Sequence, residues 1–151
     1  MRLVTLALIA ASAGFAAAPD FTGNWKLNTA KSDFGQFPAP SSMSQKITHA
    51  EPKLTVEVKM SGDMGDIEFK MNLTTDGKEC TNQGFGGSES TSVLKWDGET
   101  LLVDTKGTFG DNAYSMKDKW TLSEDGKVFT ILRRFSSGMG DVNQKLIFEK
   151  Q

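Results

Sequence analysis

The most constraining feature of this chain is a regular series of turn signals that divides it into strand-length segments. The series runs from Glu51-Pro52 to Gly138-Met139-Gly140-Asp141 and includes Asp-Gly pairs at 76–77, 97–98 and 125–126. Asp-Gly is the strongest short-range hairpin signal, because a type I′ turn needs positive φ at both central residues. Strands joined only by hairpins form an antiparallel meander, and a long twisted meander closes on itself. The spacing therefore predicts an all-β fold, a single closed antiparallel meander β-barrel of about ten strands.

Alternation of apolar and polar residues with period 2 supports this fold in most segments. In the segment 54–60, for example, Leu54, Val56, Val58 and Met60 share one face. The opposite faces of the segments carry Lys, Glu, Asp, Thr and Asn and therefore face water, whereas an outer-membrane barrel would show the reverse pattern. We expect a protein that is not embedded in a membrane.

Residues 1–18 have the organisation of a secretory signal peptide. Met1-Arg2 precedes an apolar run from Leu3 to Ala13, and small residues follow up to Ala18. The run is short and rich in alanine for a membrane span; the alternative is a buried core helix. We expect export to the periplasm or secretion, cleavage after Ala16 or Ala18, and one β-barrel domain over 19–151.

Charge and residue counts disfavour several classes of function. The formal net charge is −2 and the charges are interspersed, so no basic stripe along the sequence predicts nucleic-acid binding. Cys80 is the only cysteine and His49 the only histidine, which leaves little material for a disulfide, a histidine metal site or a Ser-His-Asp triad. We predict a non-enzymatic protein without a cofactor; a haem or general-base role for His49 is the enzymatic alternative.

Hairpin geometry places polar residues of four strands on the inner face. Pairing across the predicted turns sets Asp118 opposite Arg133, Arg133 opposite Gln144, and Thr105 opposite Asp118. These four residues are therefore expected at one level of an otherwise apolar interior. In one interpretation, Arg133 anchors a carboxylate or another polar head of a ligand while Asp118 holds the guanidinium. In the other, Arg133 and Asp118 form a structural ion pair that touches no ligand.

The remaining inner face mixes large, soft side chains with small ones. Methionine is polarisable and is common at surfaces that accept varied shapes, and Gly84, Ser90, Ser92 and Gly107 are expected to leave room. A barrel of eight strands already holds one small ligand, so ten strands predict a cavity; the alternative is a flattened barrel whose faces touch. The predicted ligand-binding residues are Arg133, Asp118, Gln144, Thr105, Met60, Met71, Met116, Phe69 and Tyr114.

The segment Phe21-x-Gly23-x-Trp25-x-Leu27 resembles the first-strand signature of the lipocalin and fatty-acid-binding protein group, the calycins. The resemblance implies a β-barrel plugged at one end by Trp25, and the strand number is more similar to the fatty-acid-binding branch. Two features differ from that branch: the segment 28–42 is too short for its helix-turn-helix lid, and 146–150 lacks its Arg-x-Tyr anchor. Arg133 is then the candidate anchor.

These observations together predict an exported binding protein that carries a small hydrophobic or amphipathic ligand, lipid or fatty-acid-like, in the barrel. The alternative is a protein–protein interaction module, such as a barrel-type inhibitor of an exported enzyme, acting through the loops 28–42 and 84–88.

Overall fold

The computed structural model describes residues 18–84 and 87–151, and this part of the chain contains ten strands. The signal peptide predicted over 1–18 lies outside the described residues except for Ala18. The strands are β1 Gly23–Leu27, β2 Ser42–Ala50, β3 Lys53–Gly62, β4 Gly65–Thr74, β5 Glu79–Gln83, β6 Glu89–Asp97, β7 Thr100–Phe109, β8 Asn112–Leu122, β9 Val128–Ser137 and β10 Gly140–Lys150.

The strands form one antiparallel sheet in which β1 and β10, the first and last strands of the chain, pair with each other. The order across the sheet is β4-β3-β2-β1-β10-β9-β8-β7-β6-β5. Leu27 of β1 lies opposite Phe148 of β10, so the predicted closure of the two chain ends is present. The edges of the sheet are therefore β4 and β5, which are neighbours along the chain.

The prediction of a fully closed barrel is wrong at the seam between β4 and β5, which carries no main-chain ladder. The connection between these strands uses its amides elsewhere: Thr75 N–H donates to Pro52 O at 2.8 Å, and Gly77 N–H donates to Leu94 O at 2.9 Å. Side chains join the two edges instead. The side-chain Oδ1 of Asn82 accepts a hydrogen bond from Asn72 N–H at 2.9 Å, and the side-chain Nδ2 of Asn82 donates to Asn72 O at 3.0 Å. The barrel is nearly closed, with one seam that the main chain does not seal.

The registers between β7 and β10 test the sequence-based pairing. Asp118 pairs with Arg133, and Arg133 with Gln144, as predicted. The β7–β8 register is shifted by two residues from the prediction: Thr105 lies opposite Met116, and Val103 opposite Asp118. The reason is a tighter turn, since both strands continue to Phe109 and Asn112 and only two residues connect them. A shift of two keeps every side chain on its predicted face.

The Asp-Gly turns at 97–98 and 125–126 close hairpins, but not in the predicted type I′ geometry, and the turn at 76–77 joins the unpaired edges β4 and β5. Gly77, Gly98 and Gly126 have positive φ, whereas no non-glycine residue of the described chain does. At the β8–β9 turn, Gly126 N–H donates to Ser123 O at 2.9 Å, and the Asp125 carboxylate accepts from Lys127 N–H at 3.1 Å. A type I turn followed by a left-handed glycine fits this pattern.

Packing divides the interior into a filled half and an open half. In the filled half, an aromatic cluster packs with ring centroids 5.1–5.8 Å apart, and each member is buried. The cluster comprises Phe21, Trp25, Trp120, Phe129 and Phe148. In the open half, inward side chains such as Met60, Phe69 and Tyr114 are only partly buried, although they alternate with exposed residues as the inward residues of the filled half do. The site considered below lies where the two halves meet.

Candidate ligand-binding interior

The filled half ends in a hydrogen-bonded network around His49, which points inward and is buried. Phe21 N–H donates to His49 Nδ1 at 3.2 Å, so the ring proton lies on Nε2, which donates to Glu51 Oε1 at 2.7 Å. Trp96 Nε1 also donates to Glu51, at 3.0 Å, and the Thr75 hydroxyl does so at 2.6 Å. Both ring nitrogens of His49 are thus occupied by the protein, which makes the residue part of the structure of this end.

The pKa of Glu51 reflects this network. Desolvation raises the pKa of the carboxyl, but hydrogen bonds from Thr75, His49 and Trp96 outweigh it, and the pKa lies below its ordinary value. The ionised form of Glu51 therefore contributes to the closure of this end.

At the boundary of the two halves, Arg133 and Asp118 form a bidentate ion pair. Arg133 Nε donates to Asp118 Oδ1 and Nη2 donates to Oδ2, both at 2.8 Å. Trp120 Nε1 is a third donor to this carboxylate, at 3.3 Å. The Asp118 side chain is 5% exposed and the Arg133 side chain 21%. Asp118 is thus fully engaged, whereas part of Arg133 remains accessible.

Arg133 remains charged in this position. Burial lowers the pKa of the guanidinium, but the charge and hydrogen bonds of Asp118 more than compensate, so its pKa lies above the ordinary value. Among the described residues, Arg133 Nη1 has no hydrogen-bond acceptor, because both bonds to Asp118 use Nε and Nη2. The group is a fixed cation with an unused donor, which is the property that binds a carboxylate.

The structure does not gather all four predicted polar residues around Arg133. Gln144 lies beside it in the sheet, but its amide donates to Phe34 O of the β1–β2 loop at 3.1 Å. Thr105 lies one row nearer the open end because of the shifted register, and its hydroxyl shares a hydrogen bond of 2.8 Å with Ser92. The predicted polar level is therefore an ion pair with Gln144 beside it, and Thr105 is separate.

The predicted apolar residues all lie on the inner face of the open half. Each is partly buried, in contrast with the fully buried inner residues of the other half. A water-sized molecule therefore reaches them, and the interior is not packed solid here. These residues are Met60, Met71, Met116, Phe69 and Tyr114.

Tyr114 occupies the room that small residues were expected to leave. A Cβ atom at Gly107 would lie 2.7 Å from the Tyr114 hydroxyl oxygen, and one at Gly84 would lie 3.7 Å from it. The Tyr114 ring also stacks on Phe135, with centroids 5.7 Å apart, and Phe135 meets Phe37 edge-on at 5.4 Å. Burial raises the pKa of the Tyr114 hydroxyl, while the charge of Arg133 opposes the rise. The absence of a side chain at Gly107 therefore makes room for the Tyr114 ring, which forms a row of aromatic contacts with Phe135 and with Phe37 of the β1–β2 loop.

Two inner residues were not predicted. Gln45 is 6% exposed, and its Oε1 is a buried side-chain atom of the described chain that lacks a hydrogen-bond partner. Its alternation with Ile47 and His49 along β2 was the signal that could have identified it. Phe34 packs against the core from the β1–β2 loop, which is held to β10 by the bridge between Asp33 and Lys145. No periodic pattern marks a loop residue as internal.

Apolar side chains surround the mouth of the open half. The exposed residues at this end are Phe37 of the β1–β2 loop, Met64 and Met139 of two turns, and Phe109 at the end of β7; Met139 is 99% exposed. A pocket of about 550 Å³ lies there at the seam and is bordered by both faces of β4, by Phe69 on the inner face and by Asp66, Glu68 and Lys70 on the outer face. Exposed apolar side chains at the open end reduce the free-energy cost for an apolar molecule to enter the barrel, because they contact it as it leaves water.

The described residues contain no group of three His, Cys, Asp or Glu side chains that could hold a metal ion. Over the same ranges, no helix has the length and hydropathy needed to cross a bilayer.

Comparison with known proteins identifies the fold. No protein-family model and no curated protein matches the sequence. Among solved structures, zebrafish ileal bile acid-binding protein complexed with cholic acid matches with a TM-score of 0.59 at 14% identity, over 87% of this chain and 98% of that one. Secretory abundant heat soluble protein 4 from Ramazzottius varieornatus matches with a TM-score of 0.60 at 16% identity, over 91% and 99%.

A fatty acid binding protein of Schistosoma mansoni in complex with arachidonic acid has a TM-score of 0.55 at 15% identity, over 87% of this chain and 96% of that one. These similarities extend over nearly the whole described barrel and over nearly the whole of each matched chain. The resemblance seen in Phe21-x-Gly23-x-Trp25 is thereby confirmed at the level of architecture. The fold of this chain is calycin-like.

Proposed function

We propose that this protein is an exported binding protein that holds a small hydrophobic or amphipathic ligand, lipid or fatty-acid-like, in the open half of its barrel. The observation that carries the proposal is Arg133. Asp118 fixes its guanidinium at the boundary of the filled half, while Nη1 remains without an acceptor among the described residues. A ligand carboxylate or similar head would complete the bonding of this cation.

The apolar inner face accounts for the body of the ligand. Methionine and aromatic side chains there are partly exposed to the interior, and each Å² of apolar surface that a ligand removes from water contributes about 25 cal/mol. The similar structures with cholic acid and arachidonic acid support this assignment, since both molecules combine an apolar body with a carboxylate. Export rests on the signal peptide predicted from residues 1–18.

The proposal is tested by displacement of a fluorescent apolar dye from the protein comprising residues 19–151. Oleate and oleyl alcohol share a chain and differ in the head, so their affinity ratio measures the contribution of Arg133. We expect both to bind, with oleate preferred. In the double variant Arg133→Met/Asp118→Leu, which removes the ion pair without leaving a buried charge, the preference should fall about tenfold.

Arg134→Met is the matched control, because Arg134 is the next residue along β9 and its side chain is exposed and paired with Asp141. It should leave the oleate preference unchanged. Absence of binding of either lipid by the wild-type protein, or an unchanged preference in the double variant, would contradict the proposal.

The interaction-module hypothesis concerns the loops 28–42 and 84–88. Part of the first loop is committed to the barrel, since Asp33 bridges to Lys145 and Phe34 packs inside. Phe85 and Gly86 of the second loop lie outside the described residues. Inhibition of an exported enzyme remains a separate hypothesis, which a pull-down from periplasmic or secreted proteins addresses.

A further inference from the structure

The outer wall of strands β6 to β10 gathers basic side chains that are far apart in the sequence. Arg134 is held by Asp141 at 2.6 Å, but within residues 18–84 and 87–151 the other cations of this wall have no carboxylate within 4.0 Å. They are Lys95, Lys106, Lys117, Lys119 and Lys145. By contrast, Lys59 and Lys70 on β3 and β4 lie within 4.0 Å of glutamates.

One cross-strand row of this wall alternates lysine with leucine across five strands. Lys95 pairs with Leu102, Leu102 with Lys119, Lys119 with Leu132, and Leu132 with Lys145. All five residues point outward, and Leu132 is 47% exposed. We call these five residues the Lys-Leu row. An exposed leucine between unpaired cations gains nothing for the fold of the isolated chain.

The Lys-Leu row crosses a groove rather than a flat surface. A groove of about 1020 Å³ is lined by Lys95, Leu102, Lys119 and Leu132 of the row. The flanking residues Lys106, Lys117 and Arg134 add positive charge, and Glu79, Asp104 and Asp118 are the carboxylates that line it, Asp118 being paired with Arg133. The occupant that complements this groove is narrow, acidic and partly apolar.

The spacing of the row matches an α-helix laid across the strands. Neighbouring strands are about 4.8 Å apart, so the lysines recur every ~10 Å with a leucine midway. In an α-helix, residues i and i+7 are about 10.5 Å apart and residue i+3 lies about 4.5 Å along the axis. A helix with carboxylates at i, i+7 and i+14 and apolar residues at i+3 and i+10 would meet the row residue by residue.

We infer that the Lys-Leu row is a docking site for an acidic amphipathic helix of a protein partner. A nucleic-acid backbone offers no apolar groups for Leu102 and Leu132, and a flat lipid surface does not enter a groove. Residues 1–17 of this chain do not fit the charge of the site, because they contain Arg2 and no carboxylate. The docking site consists of outward side chains, whereas Asp118, Arg133 and Gln144, which also border the groove, point to the inner face of the sheet.

The test uses a fluorescently labelled helical peptide with glutamate at i, i+7 and i+14 and leucine at i+3 and i+10, and a scrambled peptide of the same composition. Fluorescence anisotropy with the protein comprising residues 19–151 should show saturable binding of the patterned peptide, weakened by added salt. Lys119→Glu, at the centre of the row, should weaken binding at least about tenfold. Leu132→Ser should weaken binding without changing its salt dependence.

Lys46→Glu on the outer face of β2 is the matched control and should bind the peptide as the wild type does. Circular dichroism of each variant verifies folding. Absence of binding, equal binding of the scrambled peptide, or an unchanged affinity in both Lys119→Glu and Leu132→Ser would overturn the inference. Equally tight binding of duplex DNA with the same dependence on Lys119 and Leu132 would also overturn it, because the site would then recognise polyanions in general.

Discussion

Arg133 and Asp118 face each other across β8 and β9 through two parallel hydrogen bonds of 2.8 Å, with Asp118 almost completely removed from solvent. The carboxylate has no role that requires a ligand, since Arg133 and Trp120 already donate to it. Its role is to hold the guanidinium in one orientation. The cation that faces the open half is therefore prearranged, and a ligand does not have to order it.

Replacing Arg133 by methionine should destabilise the protein by about 3–5 kcal/mol, because Asp118 would stay buried without its partner. Urea denaturation measures the loss. The double variant Arg133→Met/Asp118→Leu should recover most of it, and Arg134→Met, at an exposed position, should change stability little. A wild-type urea midpoint for Arg133→Met would show that the pair is not buried.

Asn82→Ala should loosen the seam, because it removes both side-chain hydrogen bonds to the main chain of Asn72. We expect a loss of about 1 kcal/mol and faster hydrogen exchange at the Asn72 amide. Asn24→Ala, outward on β1 where main-chain pairing holds both neighbours, is the control. Unchanged exchange at Asn72 would mean that the Asn82 amide does not hold the seam.

Acid should destabilise the closed end through Glu51. Its pKa in the folded protein lies below its ordinary value of 4.5, so the folded state favours the ionised carboxyl. This contribution is complete above pH of about 4.5 and is lost as pH falls through the folded pKa. Glu51→Gln should therefore be less stable than the wild type near neutrality, and the difference should shrink as the pH falls below about 4.5.

Thermal melting across this pH range measures the effect. Glu99→Gln in the exposed β6–β7 turn is the control and should leave the pH dependence of the wild type intact. A constant difference between wild type and Glu51→Gln at all pH values would exclude linkage to this carboxyl.

Gly107→Ala should displace Tyr114, because the new Cβ would lie 2.7 Å from the hydroxyl oxygen and 2.8 Å from Cζ. The cost should be about 1–3 kcal/mol, as for other overpacked sites. Tyr114 is the only tyrosine of the chain, so its NMR signals report the displacement directly. Gly138→Ala meets no atom within 4 Å and serves as the control.

Adding Tyr114→Ala to Gly107→Ala should remove the steric conflict. The energies of the two changes would then not be additive. Additive energies would show that the ring does not rest on Gly107.

Gln45→Met should stabilise the protein by about 1–2 kcal/mol, because the buried Oε1 has no hydrogen-bond partner and methionine has a similar length. Urea denaturation in the absence of lipid checks this. Gln83→Met, at an exposed position of β5, is the control. A destabilised Gln45→Met would mean that the carbonyl is satisfied by an internal water molecule.

The local patterns of the sequence predicted the wall of the barrel well. The alternation in segments such as Leu54 to Met60 and the turn at Asp125-Gly126 depend on neighbouring residues only, so the faces and the Asp118–Arg133 pair followed from them. The β7–β8 register was off by two, because alternation repeats every two residues and cannot distinguish such shifts. The unsealed seam was not predicted, since Thr75 and Gly77 use their amides on residues remote in sequence.

In the candidate site, too, some features followed from local sequence patterns and others depended on contacts between distant residues. Alternation placed Met60, Phe69 and Tyr114 on the inner face, but it could not show that the interior is filled at one end and accessible at the other. The contact of Gln144 with Phe34 involves a loop without periodicity. The position of the Tyr114 ring over Gly107 is a side-chain packing choice that depends on the shifted register.

By itself, the sequence determined the strands, their inward and outward faces and the burial of a paired charge, because side-chain polarity and turn chemistry act over a few residues. The tertiary structure alone decided which strand edges remain unpaired, which half of the interior is accessible, and which outward lysines become neighbours. Lys95 and Lys145 are fifty positions apart in the numbering and belong to one row, since the cross-strand pairings align them. Such relationships depend on how the sheet closes.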